Sequence, residues 1–114
     1  FTALDDAPAT SSPKIIDMIR RRLGFDGLLV TDDITMNALS GTEADRAAAS
    51  IAAGCDLVLH CNGTIDSMAP VVAAAGTMSA HAQRRADAAL SWRDDRQDLD
   101  RVALLAEWQS LTTA

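Results

Sequence analysis

No stretch of this sequence approaches the roughly 20 consecutive apolar residues that a membrane-spanning helix needs, although 48 % of its 114 residues are hydrophobic. Basic residues are also scarce. Ten Lys and Arg stand against sixteen Asp and Glu, the net charge is −6, and Lys14 is the only lysine. Nucleic acid and anionic membrane surfaces both demand a basic face, so the balance argues against either as a partner. The one basic run, Arg20-Arg21-Arg22, reads as the solvated last turn of a helix, where cations suit the negative dipole end. Cysteine is limited to Cys55 and Cys61, which flank an apolar run. On a strand rising roughly 3.3 Å per residue they would stand about 20 Å apart, too far to bridge. Two unpaired thiols fit a reducing, cytoplasmic compartment. His60 and His81 have no metal-ligand spacing to either thiol, so no metal is expected. At the N-terminus, Phe1 to Asp6 lacks a basic region followed by an apolar one, and no signal peptide is expected. The sequence has no initiator Met and opens in mid-pattern, which sets the expectation of a fragment.

What is present is enough apolar material for a core, arranged in a helix-strand alternation over residues 10 to 63. Ser12 followed by Pro13 is an N-cap with proline at the first helical position. Ile15, Ile16, Ile19 and Leu23 form the apolar stripe of that helix, and Gly24 is its stop. Asp26-Gly27 turns the chain into Leu28-Leu29-Val30-Thr31, which ends in Asp32-Asp33. A polar loop with Asn37, Ser40 and Gly41 leads to a helix over Glu43 to Ala53, stopped by Gly54. Asp56 to His60 is a second apolar strand, ending in Cys61-Asn62-Gly63. Beyond it the pattern predicts helices near Ser67 to Ala75, Ser79 to Trp92 and Leu99 to Leu111, with Pro70 in the first turn of the first of these. Short apolar strands each preceded by a helix and a glycine belong in a parallel sheet buried on both faces. Two strands do not make a stable α/β sheet, so the alternation asks for more strands than the chain supplies.

In such folds chemistry gathers at the carboxyl ends of the strands, where Asp32 and Asp33 lie. Alternation puts Leu28, Val30 and Asp32 on one face, and Leu29, Thr31 and Asp33 on the other. One carboxylate then points into a cleft and its neighbour toward loops and backbone donors. Taken alone, the pair reads more readily as a cap of the following segment than as a catalytic pair. Leu28 to Met36 also has the form of a receiver-domain phospho-acceptor strand. That family needs an acidic pair after an earlier strand and a lysine after a later one, and Lys14 precedes Asp32, so this reading fails.

The wider string decides the matter. Pro8-Ala9-Thr10-Ser11-Ser12-Pro13, then Leu23-Gly24-Phe25-Asp26-Gly27-Leu28-Leu29-Val30-Thr31-Asp32-Asp33-Ile34-Thr35-Met36, resembles the C-terminal half of glycoside hydrolase family 3 β-N-acetylglucosaminidases. Ala53-Gly54-Cys55-Asp56-Leu57-Val58-Leu59-His60-Cys61-Asn62-Gly63 looks like the next strand of the same proteins. The resemblance covers roughly residues 5 to 90. It implies that Asp32 is the catalytic nucleophile of a retaining exo-glycosidase, with Asp33 holding the loop through backbone hydrogen bonds. Thr31 stands where the family usually has Ser and keeps the hydroxyl. Met36 either lines the sugar pocket or simply packs. His60 is expected to pack, buried or at the pocket edge, rather than to act in catalysis, and Cys61 to be structural.

The same resemblance implies an α/β fold, the C-terminal portion of a (β/α)₈ barrel of about 250 residues. Residues 1–114 would supply about strands seven and eight of that single domain, with their flanking helices. The implied mechanism is double displacement through a glycosyl-enzyme on Asp32. Its general acid in the family is a histidine on an upstream loop marked by Lys-His and Gly-His pairs, neither of which occurs here. The chain would therefore carry the nucleophile, require the remaining barrel segment, and be inactive alone. The implied substrate is a muropeptide or similar saccharide ending in N-acetylglucosamine, met in cytoplasmic peptidoglycan recycling, with no cofactor. A family 3 β-glucosidase-like hydrolase and a non-catalytic truncated fragment are the alternatives. The geometric expectation is concrete: Asp32 ends a strand, a helix starts near Glu43, and Cys55 to His60 form the adjacent parallel strand. Antiparallel pairing, or Asp32 in mid-helix, would contradict it.

Overall fold

The computed structural model describes residues 1–93 and 98–113. Its first element is set by local polar chemistry. The Ser12 hydroxyl accepts the Ile15 N–H at 3.0 Å while donating to the Asp5 carboxylate at 2.6 Å, so the cap is itself anchored. Helix α1, Pro13–Asp17, follows and widens into a π turn over Met18–Arg22. Gly24, at φ +68°, then releases the chain in a conformation that a side chain would oppose. Strand β1 is Val30–Asp33, helix α2 is Glu43–Ala53, and strand β2 is Leu57–Leu59. Three further helices complete the described chain: α3 (Ile65–Ala75), α4 (Ala80–Ser91) and α5 (Arg101–Thr112).

The strands pair in parallel, with α2 as the crossover between them. Among the described residues this is a two-stranded sheet and not a closed barrel. Val30 pairs with Leu57 and Asp33 with Leu59, so β1 advances three residues where β2 advances two. That extra residue is a bulge in the strand that carries Asp32.

Two small apolar clusters hold the layers. Ile16, Ala53 and Cys55, with Ile19 and Leu29 against them, join α1 to the sheet and to the end of α2. Ile34, Ala47 and Val71, flanked by Leu39, Val58 and Ala74, join α2 and α3 to β2. Gly54 ends α2 at φ +110°, and a Cβ there would meet the Ile16 side chain at 3.0 Å. Elsewhere the apolar surface is open: Val30, Leu59, Val72 and every described residue of α5 are exposed. No helix among the described residues is long and apolar enough to cross a membrane.

Three expectations need correction. Arg20 is not a solvated helix-end cation. Its guanidinium turns inward, bonds the Asp56 carboxylate at 2.6 Å, and donates to the carbonyls of Phe25 and Gly27. Only Arg21, paired with Asp17, and Arg22 stay at the surface. Pro70 lies beyond the first turn of α3, because a reciprocal cap between Thr64 and Ser67 starts that helix at Ile65. β1 begins at Val30 rather than at Leu28, and β2 is shorter than the run from Asp56 to His60. Asp56 lies outside β2, yet its N–H donates to the Leu29 carbonyl at 2.8 Å and its carboxylate takes the Leu29 N–H at 2.9 Å, tying the strand entrances by backbone and side chain.

That carboxylate also receives Arg85 of α4 at 3.0 Å, and Arg85 reaches on to Asp26 at 2.7 Å. Asp56 thus joins the π turn after α1, the approach to β1, the approach to β2, and α4. Asp56→Ala takes a carboxylate partner from two inward guanidinium groups and leaves the Leu29 N–H without its acceptor. It is expected to cost about 3 kcal/mol, the low end for breaking a buried pair. Arg22→Ala should stay within about 0.5 kcal/mol. Urea unfolding of the complete gene product measures both, and equal midpoints for the two variants would contradict the assigned role of Asp56.

Candidate active site at the strand ends

The site is built where the bulged end of β1 meets the end of β2. Side chains on β1 alternate as the pleat requires: Thr31 is buried, Asp32 is exposed, and Asp33 is half-buried. Thr31 faces β2, and its hydroxyl accepts the Leu59 N–H at 2.9 Å. Asp33 faces the same way and is surrounded by donors. Its Oδ1 accepts the N–H groups of Thr35 at 3.0 Å and Cys61 at 3.1 Å. Its Oδ2 accepts the Thr35 hydroxyl at 2.6 Å and the Asn62 amide at 3.2 Å. This is an Asx-type turn joined to the neighbouring strand. The hydrogen bonds from Thr35 come first in holding the Asp33 carboxyl well below its usual range, at about 2.

Asp32 points the other way. The Asp33 N–H donates to its Oδ1 at 2.8 Å, and the carboxylate opens on a shallow cavity of about 160 Å³. Met36 lines that cavity with Asp32 and Asp33, and Ala9 and Thr10 close it from the N-terminal turn. The structure therefore brings Asp32, Asp33 and Met36 together and sets Thr31 behind them, in the sheet.

Several contributors were not anticipated from sequence. Arg46, on α2, donates to the carbonyls of Ile34 at 2.8 Å, Met36 at 3.3 Å and Ser40 at 3.4 Å, so one guanidinium gathers the loop after β1. Its position at the fourth residue of a helix gave no hint of that reach. Asn62, by sequence only part of a strand ending, is a donor to Asp33. His60 is packed as expected, with its Nε2 2.9 Å from Glu43 at the start of α2. Its Nδ1 is buried without a hydrogen-bond partner. Cys61 is exposed. Desolvation first, then the charges of Asp33 and Asp32, push its thiol above the ordinary value, the opposite of an activated thiolate.

Asp33 yields a pH signature. Its folded value lies below its unfolded one, so protonation favours the unfolded chain. Its contribution is complete above about pH 4 and is lost as the pH falls toward about 2. The melting-temperature gap between wild type and Asp33→Asn should be constant near neutrality and close across that acid window. A gap that closes near pH 6, or an Asp33 carboxyl titrating near 4 by NMR, would contradict the hydrogen-bonded cluster.

Comparison with known proteins bears on what this geometry serves. Residues 1–91 match the model of the glycosyl hydrolase family 3 N terminal domain. A beta-hexosaminidase of Tolumonas auensis is 39 % identical over 72 residues, covering 60 % of this chain and 22 % of that protein. A beta-hexosaminidase of Chromobacterium violaceum is 45 % identical over 65 residues, covering 54 % and 18 %. That of Methylococcus capsulatus is 36 % identical over 117 aligned residues, covering 96 % of this chain and 34 % of the relative. The chain thus spans about a third or less of the length of these curated relatives. With most of its residues inside the match, the chain belongs to the glycosyl hydrolase family 3 N terminal domain family.

Proposed function

We propose that this chain is the C-terminal portion of a (β/α)₈ catalytic domain of a retaining exo-β-N-acetylglucosaminidase, with Asp32 as its nucleophile. The observation that carries the proposal is the division of the two adjacent carboxylates. Asp33 is committed to four protein donors, whereas Asp32 faces an open cavity at the carboxyl end of a parallel strand. The names of the relatives support the sugar class.

In the reaction the Asp32 carboxylate attacks the anomeric carbon as the glycosidic C–O bond breaks, giving a covalent glycosyl-enzyme. The leaving oxygen takes a proton from a general acid outside this segment. Water then attacks the same carbon from the face the leaving group vacated, its proton returns to that acid-base group, and Asp32 is released with configuration retained. Asp33 and Arg46 hold the loop so that Asp32 need not reorganise between the two steps. Met36 lines the sugar side of the cavity. The substrate is a saccharide ending in N-acetylglucosamine, a muropeptide of peptidoglycan recycling in the cytoplasm, and the chemistry calls on no cofactor.

The remaining barrel segment is required on this reading. It supplies the acid and covers the exposed Val30 and Leu59 on the sheet. Asp32→Ala in the complete gene product should reduce hydrolysis of an aryl N-acetyl-β-glucosaminide by at least about a thousandfold, roughly 4 kcal/mol of barrier. More than a tenth of the wild-type rate would rule out Asp32 as nucleophile. Faster turnover of the aryl glucoside would favour a β-glucosidase assignment. Residues 1–114 expressed alone should be silent and associate by light scattering; an active monomer would overturn the barrel-segment reading.

A further inference from the structure

The bulge in β1 falls between Val30 and Asp33, the stretch that carries Asp32. Between the paired positions Val30–Leu57 and Asp33–Leu59, β1 carries one residue more than β2. A bulge of this kind leaves a ladder locally open and bends the strand, re-aiming the side chains within it.

Side-chain oxygens on either side of Asp32 also reach across to β2. The Thr31 hydroxyl accepts the Leu59 N–H at 2.9 Å, and the Asp33 carboxylate accepts the Cys61 N–H at 3.1 Å. Leu59 and Cys61 are two apart, so their amides point to the same neighbour, and β1 meets both with side-chain oxygens. The ladder resumes when the Ile34 N–H donates to the Leu59 carbonyl at 2.9 Å. Leu59 is thus held on both of its polar groups across the bulge, once by a side chain and once by backbone. Thr31 is 4 % exposed and Ile34 fully buried, so the bulge is clamped between two inward residues with Asp32 turned outward between them.

We infer that Thr31 is a positioning residue whose hydroxyl, by accepting the Leu59 N–H, holds the β1 bulge in the register that aims Asp32 at its cavity. The inference rests on Asp32 being the nucleophile. It makes the hydroxyl the essential group and the γ-methyl incidental. Valine has nearly the same shape but offers no acceptor. The tie between Thr31 and Leu59 across the bulge would then be lost, and Asp32 would be free to shift along the strand. Reacting atoms must lie within about 3–3.5 Å for attack, so displacement of Asp32 falls on the chemical step rather than on binding.

The test uses the complete gene product with three variants, an aryl N-acetyl-β-glucosaminide, and thermal unfolding of each protein. Thr31→Val should lower kcat by at least about tenfold, with KM within about twofold. Thr31→Ser should recover kcat to within about threefold of wild type. Either Thr31→Val with wild-type kcat, or Thr31→Ser as impaired as Thr31→Val, overturns the inference. So does a Thr31→Val loss of activity that merely tracks the fraction of protein folded. If Thr31→Val does not fold, Thr31→Ala takes its place, and the serine variant still decides whether the hydroxyl suffices. Asp32→Asn separates the two levels. Full activity in that variant removes the nucleophile itself, whereas an inactive Asp32→Asn beside a fully active Thr31→Val removes only the role given to Thr31.

Discussion

The Asp56 carboxylate is the junction on which the arrangement depends. It sits at the entrance to β2, almost wholly buried, and receives Arg20 from the end of the first helix, Arg85 from α4 and the Leu29 N–H from the approach to β1. Strands of four and three residues have little backbone pairing of their own, and an isolated two-stranded pair is marginal in water. A charge-assisted junction compensates by fixing three other segments against one point. Because Arg20 also binds the carbonyls of Phe25 and Gly27, the turn into β1 is held before the strand begins.

From that fixed entrance the two strands run to an exit with different duties. Here acceptors are supplied by Thr31 and Asp33, and donors by the backbone of Leu59 and Cys61 and the side chain of Asn62. One end of the sheet is thus closed by a buried ion network and the other by hydrogen bonds beside an open cavity. This matches the general division in parallel α/β folds between a stabilising amino end and a chemical carboxyl end. Adjacent carboxylates are not redundant under this arrangement. Pleat alternation assigns Asp33 to the structure and leaves Asp32 to the cavity, and an N–H of the same Asp33 residue orients the Asp32 carboxylate.

Much of this was legible in the residues. The helix-glycine-strand units gave the parallel pair, and α2 falls on Glu43 to Ala53 as its alanine-rich pattern and Gly54 stop require. Alternation along β1 correctly divided Asp32 from Asp33. What stayed hidden depended on partners distant in sequence. Nothing near Arg20 signals that it will meet Asp56, 36 residues on, so the local dipole argument favoured a solvated cation. Arg46 gathers loop carbonyls that no pattern relates to it. Pro70 looked like a first-turn proline because the Thr64–Ser67 cap, which starts α3 earlier, was not recognised. The bulge was equally invisible, since an extra residue in one strand is defined only against the register of its partner.

The claim at the centre of the account is that Asp32 forms the covalent bond to the sugar. The direct measurement is mass spectrometry of the complete gene product after reaction with a fluorinated N-acetylglucosaminide whose glycosyl-enzyme hydrolyses slowly. Cleavage after arginine yields a peptide running from Leu23 to Arg46, within which fragmentation separates Asp32 from Asp26, Asp33 and Asp45. The expected result is one added sugar mass, carried by Asp32. A label on Asp33 or on a peptide outside this segment, or turnover with inverted configuration and no covalent adduct, would contradict it.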